Sequence, residues 1–261
     1  MYHNLFDSHV HSGNSPDGEH PIIYLAESAV EKGLMGMALT DHVECVGFEE
    51  GGYRTRTVQS AVDVSKAKAA FRHRITFTIG IELGIARGMY DLAGRIIGLY
   101  PYDFVLGACH HTRQGMRFSE INFAEMPAAQ WDKLLSEYFE DMAEMVEQGT
   151  FDSLTHITYP LRYGAGNARR CHEQVDVLLR LLVEKGKALE VNAARLEEDD
   201  ALWNIRRYKE LGGELVTIGS GAHRAERLGE GIENAMALLA GAGYEYFTFY
   251  KARNPIMLRI V

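Results

Sequence analysis

One pattern recurs along this chain: an amphipathic helical segment, a glycine, then a short β-branched apolar run ending in polar residues. Glu31-Lys32-Gly33 leads into residues 35–40, Glu147-Gln148-Gly149 into 151–155, Glu184-Lys185-Gly186 into 188–192, Glu210-Leu211-Gly212 into 214–218 and Ala240-Gly241 into 246–250. Each glycine falls where a helix stops, a position whose left-handed backbone costs glycine little. Apolar residues at three- and four-residue steps (Trp131, Leu134, Leu135, Tyr138, Phe139, Met142, Met145, Val146) predict a core-facing helix over 128–148. Further helices are predicted over 22–32, 57–71, 173–185, 201–211 and 232–242, and further strands over 5–9, 76–81 and 104–109. Strands alternating with helices imply parallel βα units, and seven or eight of them close most readily into a barrel. An open doubly wound sheet is the alternative, but no Gly-x-Gly-x-x-Gly follows the first strand and no phosphate-cradling Gly-x-x-x-x-Gly-Lys-Ser/Thr occurs.

A chain of 261 residues matches the size of one α/β barrel, so residues 1–261 are expected to form a single domain. The charge of −9, from 27 Lys and Arg against 36 Asp and Glu, repels phosphate backbones and argues against nucleic acid as a partner. Three separated cysteines (Cys45, Cys109, Cys171) without a C-x-x-C fit free thiols in a reducing compartment. No leader-like segment and no long apolar run occur, so a cytoplasmic chain with no membrane partner is expected.

Of 11 histidines, six (His9, His11, His42, His110, His156 and His223) fall at or just beyond predicted strand ends. In a barrel, that is the face where active sites are built, and the irregular pieces 43–56, 112–127 and 159–170 also follow strands. Asp7, His9 and His11 share one face of the first strand by its two-residue period, and two imidazoles so placed can hold one metal. Asp17, in the turn Ser15-Pro16-Asp17-Gly18, brings a carboxylate back over the same mouth. Glu82 ends the third strand; of the adjacent His110 and His111, His110 is the favoured donor. Imidazoles with a few carboxylates suit Zn, Fe or Mn, and two or three such ions close together suit phosphate chemistry. His3, His20, His73 and His172 read as surface or loop residues.

Taken in order, Asp7-Ser8-His9-Val10-His11-Ser12 with Ser15-Pro16-Asp17-Gly18, Thr40-Asp41-His42, Gly80-Ile81-Glu82 and Gly107-Ala108-Cys109-His110 form one set of motifs. Thr155-His156-Ile157, Glu190-Val191-Asn192 and Gly219-Ser220-Gly221-Ala222-His223 continue it. The set resembles the polymerase-and-histidinol-phosphatase (PHP) superfamily of metal phosphoesterases, and within it the L-histidinol-phosphate phosphatases of histidine biosynthesis. The resemblance implies a distorted seven-stranded (β/α)7 TIM-like barrel and two or three divalent ions. It puts His9 and His11 on one ion, has Glu82 bridge to a second completed by His110 and His156, and gives a third to Asp17, His42 and His223. It also implies a small phosphomonoester substrate, with His42, His223 or Asp17 assisting proton transfer to the leaving alcohol.

The chain departs from that family at one place: the pattern usually reads Gly-Ser-Asp-Ala-His, and Gly221 stands where the Asp would share the first ion. Losing an anionic ligand weakens that ion and alters the acidity of its water, so impaired turnover is expected. Two other functions stay open, a PHP phosphoesterase acting on a nucleotide or other small phosphate ester, and a metal- or phosphometabolite-binding protein with weakened catalysis. Arg162 and Arg195, just past strand ends, are candidates to fork onto phosphate oxygens, though Arg195 has Glu197 and Asp199 as alternative partners. Phe48, Tyr53, Phe118 and Phe123 form either a lid over the substrate or ordinary packing.

Overall fold

The computed structural model describes residues 2–164 and 167–261, so residues 165 and 166 of the expected loop 159–170 lie outside the described residues. Its main sheet is parallel throughout. The order is β1 (Phe6–Val10), β2 (Gly36–Leu39), β4 (Thr76–Gly84), β5 (Phe104–Ala108), β6 (Ser153–Leu154), β7 (Ala188–Asn192) and β8 (Val216–Gly219). β2 pairs with the first half of β4, and β3 (His42–Glu44) pairs with its second half, so the two short strands occupy one position. Seven positions therefore enclose the barrel, as the alternation of elements predicts.

Closure between β8 and β1 is confined to the C-terminal end, where Val10 and Ala222 form a single parallel bridge. There His11 N–H donates to Ala222 O at 2.8 Å and Gly221 N–H to His9 O at 2.9 Å. Buried Asp7 fastens the same seam by accepting from Ser220 N (2.9 Å), Ser220 Oγ (2.6 Å) and Gly229 N (3.0 Å). The helices are α1 (Ile22–Glu31), α2 (Tyr53–Ala70), α3 (Tyr90–Ile97), α4 (Ala128–Gln148), α5 (His172–Lys185), α6 (Ala201–Glu210) and α7 (Ile232–Gly241). Neighbours touch in chain order, α1 with α2 and α4 through α7 in succession, as a surrounding layer requires. α4 buries Trp131, Tyr138, Phe139, Met142, Met145 and Val146, while Leu134 and Leu135 of the expected face stay half-exposed. Among the described residues no helix is long and apolar enough to cross a membrane.

Gly33, Gly186 and Gly212 adopt the left-handed conformation expected at helix stops, with φ of +73°, +63° and +91°. Gly149 instead leaves α4 in an extended conformation, and Gly243 rather than Gly241 makes the left-handed turn after α7. The run at 246–250 does form a strand, but not one of the barrel. β9 (Tyr246–Lys251) pairs antiparallel with β10 (Asn254–Arg259) in a separate hairpin. That hairpin covers the N-terminal mouth. Phe6 packs on Phe249 (ring centroids 4.7 Å apart), Phe104 stacks on Tyr250 (5.1 Å), and Asp103 accepts from Ala252 N at 2.8 Å.

With one mouth covered by the hairpin and the other lined with polar residues, stability and chemistry are carried by opposite ends. Phe104→Ala, at the covered end, is expected to lower unfolding free energy by about 3–5 kcal/mol in urea titrations. Bound metal per folded chain should stay unchanged.

Candidate metal centre

The C-terminal strand ends bring the sequence-predicted donors into one place. β1 is buried along its whole length and carries His9, with His11 one step beyond its end. The loop that follows is held by Asp41, which accepts from Ser12 N (2.5 Å), Ser12 Oγ (2.8 Å) and Ser60 Oγ of α2 (2.5 Å). Asp41 thus buttresses the site, and its neighbour His42 is the residue that enters it.

Glu82, fully buried near the end of β4, stands at the centre. Its Oε2 lies 2.9 Å from His42 Nδ1, 3.3 Å from His9 Nε2 and 3.5 Å from His11 Nε2. Its Oε1 lies 3.1 Å from His156 Nε2 and 3.4 Å from His110 Nε2. None of these approaches makes a well-directed hydrogen bond, so both Glu82 oxygens are buried without a hydrogen-bond partner, as are His110 Nε2 and His42 Nδ1. Burial opposes ionisation of Glu82, but the pull of His42 and His9 outweighs it and holds the carboxyl well below its usual range. Burial likewise opposes a proton on His9, yet Glu190 and Glu82 push its pKa up to about 10. The pocket attracts positive charge.

Outside this ring, Asp17 lies 3.5 Å from His42 and 3.3 Å from His223, and His223 stacks on His11 at 4.1 Å. Ligand atoms of His11, Asp17, His42 and His223 lie within 4.8 Å of one another, as do those of His9, Glu82 and His156 and those of His42, Glu82 and His110. The outer group contains the expected trio with His11 added. Around Glu82 the grouping differs from expectation, since His156 gathers with His9, and His110 with His42. Nonetheless His9 Nε2 and His11 Nε2 face each other at 3.0 Å. Imidazole nitrogens with two carboxylates, several of them orphaned and buried, fit divalent ions of the zinc, iron or manganese type.

Two residues essential to this geometry were not among the candidates. Glu190 accepts from His9 Nδ1 at 2.7 Å and Glu44 from His110 Nδ1 at 2.7 Å; each pairing turns the ring's Nε2 toward Glu82. Glu190 also accepts from Thr155 Oγ1. The two-residue period from His42 places Glu44 on the same face, a signal the sequence did contain. His111 lies against Glu44 at 3.5 Å, outside the ring, so His110 is the one turned inward. His156 adopts φ +53°, unusual for a residue with a side chain, and the Tyr138 hydroxyl donates to its carbonyl at 2.6 Å.

The histidine donors and Asp17 line a cavity of about 380 Å³ together with Arg162, Arg195 and Gly221, with Glu82 buried beneath them. Neither arginine has a carboxylate within ion-pair distance among the described residues, so the alternative pairing of Arg195 with Glu197 or Asp199 is not formed. Nε of each is buried without a partner, and Arg162 Nη2 donates to His156 Nδ1 at 2.7 Å. Gly221 has φ +63°, and a Cβ built there would meet only Asn192 Nδ2 at 3.6 Å. Space for a side chain therefore exists, in a conformation that Asp tolerates better than most residues. The aromatics are packing rather than lid: Phe48, Tyr53 and Phe118 are buried, and Phe123 packs edge-on against Trp131.

Comparison with known proteins bears on this arrangement. The PHP domain family model matches residues 7–194. A probable histidinol-phosphatase of Thermotoga maritima is 28% identical over 248 residues, covering 93% of this chain and 94% of that protein. A histidinol-phosphatase of Lactococcus lactis subsp. lactis is 28% identical over 259 residues, covering 93% of each. Among solved structures, histidinol phosphate phosphatase from Lactococcus lactis, complexed with zinc, L-histidinol and phosphate, superposes with a TM-score of 0.82 at 23% identity. That match covers 97% of this chain and 99% of the other.

Because Glu190 fixes the orientation of His9, Glu190→Gln is expected to weaken zinc affinity by about 10- to 100-fold in chelator competition. The fold, followed by far-ultraviolet circular dichroism, should persist.

Proposed function

The chain belongs to the PHP domain family, and we infer that it is a metal-dependent phosphatase that hydrolyses L-histidinol phosphate to L-histidinol and phosphate. The observation that carries this reading is the Glu82 carboxylate, ringed by five imidazoles that line a cavity together with two arginines free of carboxylates. The names of its relatives and their coverage of nearly the whole chain supply the substrate. Residues 1–261 are read as one catalytic unit acting in the cytoplasm on a small phosphomonoester, with neither nucleic acid nor membrane as partner.

In this reading His9, His11, Glu82, His110 and His156 hold two divalent ions, and Asp17, His42 and His223 hold a third, with zinc, iron and manganese all suited to the donors. When bound, such ions supply Lewis acidity, making water a better nucleophile and offsetting charge on the phosphoryl oxygens. Arg162 and Arg195 orient the phosphate through their planar forks. Arg162 is coupled to His156 by a proton. A guanidinium only donates, so its bond to Nδ1 requires the ring proton on Nε2, whereas ligation through Nε2 requires it on Nδ1. An ion held by His156 would therefore leave Arg162 free to face the substrate. Whichever of Asp17, His42 and His223 the third ion leaves unligated, on the more exposed side of the cavity, is placed to return a proton to the leaving alkoxide.

Gly221 favours a second reading, a protein that binds metal and phosphometabolite but turns over weakly, since β8 ends without a carboxylate beside His9. Phosphate release from L-histidinol phosphate by the metal-reloaded chain and its Gly221→Asp form separates the two. The phosphatase reading expects metal-dependent release that rises about tenfold or more in the Asp form, with tighter metal binding. If both forms are inert while metal is bound, the L-histidinol phosphate assignment fails. Arg195→Met is expected to raise KM about tenfold or more with a smaller change in kcat, as loss of a charge-assisted contact to phosphate does.

A further inference from the structure

The buried face of α4 carries two polar groups that the proposed chemistry does not use. Trp131, Phe139, Met142, Met145 and Val146 are apolar, but Tyr138 and Asp141, three residues apart and so on one side of the helix, are buried with them. Each reaches a different strand end at the open mouth. The Tyr138 hydroxyl donates to His156 O at 2.6 Å and accepts from Tyr159 N at 3.4 Å, gripping the turn after β6 at two points. Phe118 and Phe139 pack edge-on against its ring, at 5.6 and 5.3 Å. Asp141 accepts from Arg113 Nε at 2.8 Å and from Arg87 Nη1 at 3.3 Å. Arg113 follows His110 by three residues, and Arg87 follows Glu82 by five.

Those three strand ends supply one side of the metal centre. Glu82 Oε1 faces His156 Nε2 and His110 Nε2, while Oε2 faces His9, His11 and His42. His9 and His110 are each turned inward by a carboxylate on Nδ1, but His156 Nδ1 meets Arg162 instead. Its orientation therefore has to come from its backbone. That backbone is left-handed, a conformation a residue with a side chain keeps only where its surroundings hold it. The Tyr138 hydroxyl on the His156 carbonyl does for this peptide what Glu190 and Glu44 do for the other two rings. We propose that Tyr138 is a positioning residue for His156, and that with Asp141 it makes the inner face of α4 the brace for the Oε1 side of the centre. Neither side chain lines the cavity, so both act through the donors they hold. The inference rests on the metal-dependent reading above and adds the residues that keep its donors in place.

Zinc competition against a chromophoric chelator tests this on the whole chain. Tyr138→Phe keeps the packed ring and removes only the hydroxyl. It is expected to weaken one bound zinc by about 10-fold or more, while the remaining zinc binds within about twofold of wild type. Asp141→Asn should weaken the same ion. In cobalt-loaded Tyr138→Phe the visible bands of that ion alone should shift or fade, and kcat should drop at nearly constant KM and recover with excess zinc. Met145→Ala, a cavity in the same helix, separates placement from stability: it should lower the melting temperature and leave zinc affinity unchanged. Wild-type zinc affinity in either polar variant, or an equal loss in Met145→Ala, overturns the proposal. If the wild type binds zinc but releases no phosphate, the phosphatase reading fails, and the zinc titrations of the variants still decide the role of α4.

Discussion

A fully buried carboxylate without hydrogen-bond donors is among the most expensive groups a protein can contain, and the architecture of this chain is arranged around one. Glu82 is 0% exposed and both its oxygens lack hydrogen bonds, yet its carboxyl is held in the ionised form. Only positive charge close by offsets such desolvation: of the five imidazoles that surround it at 2.9–3.5 Å, His9, His42 and His110 are pushed toward the protonated form by nearby carboxylates, whereas burial holds His11 and His156 toward the neutral one. Those five side chains come from β1, the β2–β3 position, β5 and β6, and no local element could assemble them. A closed parallel barrel does, because every strand ends at the same mouth. The demand for nearby positive charge is thus a consequence of packing electrostatics as much as of chemistry, and divalent ions would supply the charge that protons on His9 and His42 otherwise bring.

The barrel separates this demand from its own stability. At the covered mouth, aromatic stacking of the β9–β10 hairpin on Phe6 and Phe104 contributes apolar burial. At the open mouth, the polar residues that do not face the cavity serve closure. Asp7 ties the end of β8 back to β1, Asp41 ties the loop after β1 to α2, and Glu44 and Glu190 fix two of the imidazoles. The left-handed backbone of His156, with its carbonyl anchored by Tyr138, is strain held by the same rigid surroundings.

Much of this was legible in the sequence because both signals involved are local. Glycine-punctuated alternation of helix and strand reports parallel βα units, and histidines concentrated at strand ends report a site at one mouth. The orienting carboxylates were harder. Glu44 and Glu190 sit inside strands; a two-residue offset relates Glu44 to His42, nothing of the kind relates Glu190 to a ligand, and their partners, His110 and His9, are 66 and 181 residues away. The hairpin escaped for a different reason. Its turn places Ala252 and Arg253 at φ of +49° and +62°, a geometry usually announced by Asn-Gly or Asp-Gly, so 246–250 reads as one more barrel strand. α3 is only eight residues long and gives too short a period to stand out. The aromatics of the loops carry no sign of whether they face cavity or core, and packing decided it.

Glu82 and its ring of histidines have the chemistry of a site for divalent ions. Anomalous scattering from crystals of the metal-reloaded chain, recorded at the zinc, iron and manganese edges, tests it most directly. Two or three ordered peaks are expected at the open mouth, with Glu82 oxygens and histidine nitrogens about 2.0–2.2 Å from them. An empty ring, with waters hydrogen-bonded to Glu82 in reloaded crystals, would contradict it.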